Sequence, residues 1–155
     1  MIVFSAELTK LPPSANKMYI YTRHGPVASK AAKSFKNAAR VELARQLFSK
    51  GFNVESNMPY RLELDFYLPK LQNKSWPKSK TRYVRKDVSN LIKVTEDLVA
   101  DCLGIDDSCF IEVLASKFDG NVHKFEGVRI RIVSLEHRRS KEHGDQKQEA
   151  DKEIT

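Results

Sequence analysis

Residues 60–68, Tyr-Arg-Leu-Glu-Leu-Asp-Phe-Tyr-Leu, alternate without a break: Leu62, Leu64, Phe66 and Leu68 fall on one side of an extended chain, Arg61, Glu63, Asp65 and Tyr67 on the other. Successive side chains of a strand point to opposite faces, so this run demands a sheet with one covered face and one face that is wet or paired with a partner. Asp65 belongs on the surface by the same alternation. Three further runs supply neighbours. Ile2, Phe4, Ala6 and Leu8 alternate with Val3, Ser5, Glu7 and Thr9 until the double proline of Leu11-Pro12-Pro13 stops the strand. Cys109 to Phe118 reads as another, turning at Asp119-Gly120-Asn121 into a last one with Val128, Ile130 and Ile132 inward and Arg129 and Arg131 outward. Between the first strand and residue 29, Ser14-Ala15-Asn16 and the stretch through Tyr19, Tyr21 and His24-Gly25-Pro26 read as irregular.

The cover for the sheet comes from two helical patterns. From Ser29, an N-cap, to Gly51, a C′ residue, the chain reads as one long helix with an apolar stripe of Ala32, Phe35, Ala39, Leu43 and Leu47. Lys30, Lys33, Lys36, Arg40, Arg45 and Lys50 decorate its polar side with only Glu42 opposing them; Lys33, Lys36 and Arg40 share a face, which is either solvated or tracks phosphate. The second helix carries Leu91, Thr95, Leu98 and Cys102 at three-and-four spacing, with Ile92 and Val99 beside them, and ends near Leu103-Gly104. The order strand, long helix, strand, helix, two strands predicts an α+β fold, a small mixed β-sheet with two main helices packed against it.

A chain of 155 residues with 41% hydrophobic content fits one domain, placed at residues 1–135. Residues 136–155 hold five Lys/Arg and six Asp/Glu and almost nothing apolar, a tail predicted to be disordered. Net charge is +7. A basic body points to a polyanion, and nucleic acid and anionic membrane both qualify on charge. No apolar run approaches the ~18 residues of a span and no basic-then-apolar signal follows Met1, so the expectation is a soluble, intracellular protein with no membrane role. Cys102 and Cys109 lie among apolar neighbours, as core cysteines of a reducing compartment do. His24, His123, His137 and His143 do not supply finger-like zinc spacings.

After Pro69, no regular pattern fits up to Lys86, and the stretch contains Lys70, Lys74, Lys78, Lys80, Arg82, Arg85 and Lys86 without one acid. Unstructured loops beyond ~12 to 15 residues are functional or disordered; this one suits a segment that is mobile alone and ordered by phosphates on binding. Trp76, in its middle, either stacks on an unpaired base or folds back on the core.

The basic loop delivers the chain onto Asp87, just before the second helix, and Asp106-Asp107 follow just after it. Singly, Asp87 is a cap residue and Asp106-Asp107 a turn. Together, acids at both ends of one helix, if a returning strand joins them, are what a divalent ion such as Mg²⁺ needs, one or two carboxylates with water and phosphate completing the shell. Lys93, one turn into the helix, faces the same phosphate. Ser89 reads as an N-cap for a helix starting at Asn90, and Asn16 as a turn residue.

Asp87, Asn90, Leu91 and Lys93, followed after a helix by Asp106 and Asp107, resemble the hallmark of the RusA-type Holliday-junction resolvases, an Asp-x-Asp-Asn-Leu-x-Lys string and a later Asp-Asp pair. Leu11-Pro12-Pro13-Ser14-Ala15-Asn16 is similar to that family's Pro-Pro-Ser-x-Asn signature, and together with the intervening long helix the likeness runs from about residue 2 to residue 134. The resemblance implies a structure-selective endodeoxyribonuclease of DNA recombination and repair, cutting four-way or branched DNA by Mg²⁺- or Mn²⁺-assisted hydrolysis. It further implies a homodimer in the cytoplasm of a bacterial cell, encoded by host or phage. On it, Asp87 and Asp107 become the metal ligands with Asp106 as the alternate, and Lys93 the group that neutralises transition-state charge. Ser89, Asn90 and Asn16 border the site, and the seven loop cations bind DNA. One position departs: Ser89 stands where the family has its second aspartate. The alternative is a junction-binding protein of the same fold with weak or lost cleavage.

Overall fold

The computed structural model describes residues 1–51 and 54–135; the tail expected at 136–155 lies outside the described residues. In chain order the elements are β1 (Ile2–Leu8), β2 (Tyr19–Thr22), β3 (Gly25–Ala28), α1 (Lys30–Lys50), β4 (Tyr60–Leu68), α2 (Val88–Leu103), β5 (Phe110–Asp119), α3 (Gly120–His123) and β6 (Gly127–Ser134), with 3-10 turns at Ala15–Lys17 and Asp107–Cys109. The fold is α+β.

The main sheet has the order β1-β6-β4-β5. β4 pairs parallel with β5 and antiparallel with β6, which pairs antiparallel with β1. The parallel pair follows from α2, since returning a chain to the same end of a sheet takes a crossover rather than a tight turn. β4 lies inside because its apolar side is the richest: Leu62, Leu64, Phe66 and Leu68 are all fully buried, and each such burial contributes about 1.5–3 kcal/mol. Phe4, Ala6 and Leu8 of β1 and Val128, Ile130 and Ile132 of β6 extend the same buried face, and the α1 residues Ala32, Phe35, Ala39 and Leu43 and the α2 residues Leu91, Val94, Leu98 and Val99 complete the core with it. Thr95 is also buried, its hydroxyl donating to Leu91 O at 2.9 Å, so it leaves no unsatisfied group in the core.

Both helix ends expected for α1 are present. Ser29 caps it by accepting from Ala32 N, and Gly51 closes it at φ 61°. α2 begins at Val88 with Asp87 in the cap position, so Ser89 is inside the first turn and is not the cap. At its far end Gly104, at φ 67°, reverses the chain, with Gly104 N and Ile105 N donating to Asp101 O and Ala100 O. That reversal turns the next residues back along the helix.

The other face of the sheet is polar and laced with ion pairs: Arg61–Glu63 (2.9 Å), Arg131–Glu63 (2.9 Å), Arg131–Asp65 (3.0 Å) and Arg129–Glu7 (2.8 Å). Asp65 thus sits on the face opposite the helices, as its alternation requires. Tyr67 departs from its expected exposure. It is 4% exposed, because α3 and Phe125 fold over that end of the face and its ring packs on Phe118, His123 and Phe125 at 5.1–5.2 Å.

Two stretches expected to be irregular have structure. Residues 19–28 form a separate two-stranded hairpin, Tyr19 opposite Ala28 and Thr22 opposite Gly25. Residues 69–86 form a lobe rather than an open loop: Asn73 N donates to Arg82 O, Val84 N to Leu71 O, and Asn73 Nδ2 to Thr81 O at 2.7 Å. Its base is tied to the sheet by Leu71 N donating to Asp119 Oδ2 at 3.2 Å. Trp76 stays at the surface, 42% exposed. Among the described residues, no helix is long and apolar enough to cross a membrane.

Candidate active site

Asp87 occupies the cap position of α2 in extended backbone, yet its carboxylate accepts no helix N–H. A capping role, the plain explanation for an Asp there, therefore does not account for it. The carboxylate is exposed at the N-terminal end of the helix.

Lys93, lower on the same helix, is held between two acids: Nζ lies 2.8 Å from Asp97 Oδ1 and 3.0 Å from Asp107 Oδ2. These hydrogen bonds, Asp97's first and Asp107's second, raise its pKa above the ordinary lysine value, so it is cationic at any working pH. Asp107 reaches Lys93 only because Gly104 reverses the chain. Asp106, its neighbour, turns the other way and accepts from Ser108 N at 2.9 Å. Its bonds to Ser108 hold its carboxyl below the usual range, and the plain turn reading describes it well. Glu96 shares this acidic patch; burial, then Asp107 and Asp97, push its pKa up against the opposing pull of Lys93.

A cleft of about 240 Å³ opens beside these residues, lined by Ser89, Asn90, Lys93, Val94 and Asp97 from α2, Lys36 from α1, and Met18 and Tyr19 at the base of the hairpin. Ser89 and Asn90 are thus placed with Lys93. Asn16 lies nearby in sequence, exposed in the preceding 3-10 turn, but the cleft takes Met18 and Tyr19 from that stretch.

The segment that leads into Asp87 is positively charged. Lys70, Lys74, Lys78, Lys80, Arg82 and Arg85 of the lobe are exposed, and among the described residues none of them is in a salt bridge. Lys86 is half-buried, which pushes its pKa down, Glu126 opposing and Lys17 adding to the effect. Lys17 thereby marks a second basic segment: residues 8–41 contain seven Lys/Arg and no acid, as do residues 66–86. Arg40 is partly neutralised by Asp101 at 2.7 Å, whereas Lys36 faces the cleft. Sequence reading missed Asp97 and the approach of Lys17 to Lys86. The i,i+4 spacing of Lys93 and Asp97 was a signal for the first; the second depends on tertiary packing.

Hard carboxylate oxygens are the right donors for Mg²⁺ or Mn²⁺, and one or two suffice when water and phosphate complete the shell. Asp87, unused in capping, and Asp107 fit that chemistry. Among the described residues no three His, Cys, Asp or Glu gather as a ready-made cage.

Residues 10–133 match the family model for endodeoxyribonuclease RusA. No curated protein matches the chain. The matched span takes in the Pro-Pro-Ser-x-Asn turn, the basic lobe, Asp87, Lys93 and the Asp106-Asp107 pair, and with most of its length so matched the chain belongs to the RusA family of endodeoxyribonucleases.

Proposed function

We propose that the protein is a structure-selective endodeoxyribonuclease that cuts four-way or otherwise branched DNA by divalent-metal-assisted phosphodiester hydrolysis. The observation that carries this reading is the division of charge at α2: an unused carboxylate and a doubly paired lysine at the helix, bracketed by two acid-free segments of seven cations each. The cations suit a phosphate backbone, whose neutralisation supplies most non-specific affinity.

Asp87 and Asp107 would hold the ion, with Asp106 the alternate. When bound, Mg²⁺ or Mn²⁺ polarises the phosphoryl oxygen, favours deprotonation of water and screens the leaving 3′ oxygen. Lys93, released from Asp107, would face a phosphate oxygen and stabilise charge that grows in the transition state. Asn90 orients neighbouring groups. Two symmetric nicks in a four-way junction need two sites, which a homodimer provides under two-fold symmetry.

Ser89 favours a second reading. It lines the cleft where the family pattern has a carboxylate, so a protein that binds junctions and cuts them weakly has the same fold and the same surface. One assay separates the two. A synthetic four-way junction is incubated with Mg²⁺, Mn²⁺ or EDTA, and binding and nicking are scored separately. The nuclease binds in EDTA and nicks only with metal; binding without nicking under any metal selects the second reading, and nicking in EDTA contradicts the metal mechanism.

A further inference from the structure

We infer that the β2–β3 hairpin is a second DNA-contacting element, whose Tyr19–Tyr21 face stacks on base faces exposed where stacking is interrupted at the meeting of the arms of branched DNA. The inference rests on the branched-DNA reading above and adds an element to which that reading gives no task.

The hairpin is exposed on both sides. Tyr21 is 84% exposed and Ile20 57%, and Tyr19 and Val27 are also at the surface. Tyr19 and Tyr21 share one face of the ribbon, and Ile20 and its cross-strand partner Val27 share the other; large apolar side chains scattered singly over a surface need no explanation, but a pair of exposed rings side by side on one face of a short ribbon marks an interaction site. The base of the ribbon is fixed: Ser29 Oγ donates to Lys17 O at 2.5 Å, Ser29 N donates to Met18 O at 2.8 Å, and Met18 is buried in the core. Its tip, Arg23-His24, is closed by Thr22 Oγ1 donating to Gly25 O at 2.9 Å. An anchored ribbon presents its rings in a set direction and loses little freedom on binding.

Position and charge identify the occupant. Tyr19 lines the cleft that holds Ser89, Asn90 and Lys93, and Tyr21, two residues on along the same face, stands roughly 7 Å farther out. The hairpin lies within the acid-free segment 8–41, with Lys17 and Arg23 on it or beside it. A second copy of the same hairpin would set these cations against their own duplicates, whereas DNA offers phosphates for the cations and flat bases for the rings. Stacking on aromatic rings takes any base, because every base has a π-face. Bases within a duplex already stack on each other; those at a branch point come out at lower cost. The hairpin should therefore add affinity for junctions and little for duplex.

The test compares binding of a four-way junction and of a linear duplex of equal length, in EDTA, by the parent, Tyr21→Ala and Tyr21→Phe. Thermal melting and elution volume are measured on each protein. The expected result is that Tyr21→Ala weakens junction binding about tenfold or more and leaves duplex binding nearly unchanged, with Tyr21→Phe close to the parent. Equal junction binding by parent and Tyr21→Ala, with unchanged melting, overturns the inference while leaving the branched-DNA reading in place. So does a parallel loss on both substrates, or a change of oligomeric state in Tyr21→Ala, which makes the ribbon a self-association arm. A parent with no preference for junctions sinks the branched-DNA reading, and this inference with it.

Discussion

Ser89 and Lys93 show how much the chemistry depends on single side chains around one helix. Ser89 lies in the first turn of α2 and faces the cleft, where a carboxylate would gain from the helix dipole. Ser89→Asp is therefore expected to be tolerated structurally and to lower the metal concentration for half-maximal nicking, with the rate gain largest at low Mg²⁺. A metal titration of nicking checks this; an unchanged midpoint means that another group already fills the place. Lys93 makes the opposite point. Its raised pKa means that its ion pairs are fully present below the ordinary lysine value and are lost only at strongly alkaline pH, so pH effects on nicking near neutrality come from other groups. The acids and the lysine of the candidate site stand out in the sequence as residue types. What was not legible is that Asp106 is committed to Ser108 while Asp107 reaches Lys93, because that choice is made by the reversal at Gly104.

Among the elements, α1, α2, β4 and β6 were readable because each buries one face and leaves a period of 3.6 or 2 in the sequence. The β2–β3 hairpin was not, since it is exposed on both faces and burial imposes no pattern on it. Nor was the order in residues 69–86, which comes from bonds to the backbone made by Asn73 and from ties to β5 and α3: Leu71 N to Asp119, Asn121 Nδ2 to Pro69 O and Lys117 Nζ to Lys86 O. Asp119 accepts from Leu71 N and from Asn121 N, and these bonds depress its pKa. A depressed carboxylate stabilises the fold in full above the ordinary Asp pKa and stops doing so only as pH falls through its lowered value, so the tie is at full strength at neutral pH. Asp119→Ala should therefore loosen the lobe at neutral pH. Hydrogen exchange is expected to rise in residues 70–86 and junction binding to weaken, with the α1 and α2 amides unchanged; protection equal to the parent's contradicts the anchoring role.

Across the whole molecule the two sheet faces divide the work. One is sealed by α1 and α2 and carries the acids and cations of the cleft at its edge; the other is a self-paired ladder that includes Asp65 and Arg131. If the exposed lobe cations and the hairpin grip several phosphates, junction affinity falls steeply, by about a thousandfold or more, between about 50 and about 200 mM salt. A flat response contradicts a backbone grip. The central claim is that binding and cutting belong to different charges, and nicking by Asp87→Asn on a junction it has already bound tests this most directly. The variant is titrated until the junction is fully bound in EDTA, Mg²⁺ is then added, and nicks are counted beside the parent and an Asp65→Asn control. The account predicts parental or tighter binding and nicking abolished or greatly slowed for Asp87→Asn, with Asp65→Asn cutting like the parent. Nicking by bound Asp87→Asn at the parental rate would contradict it.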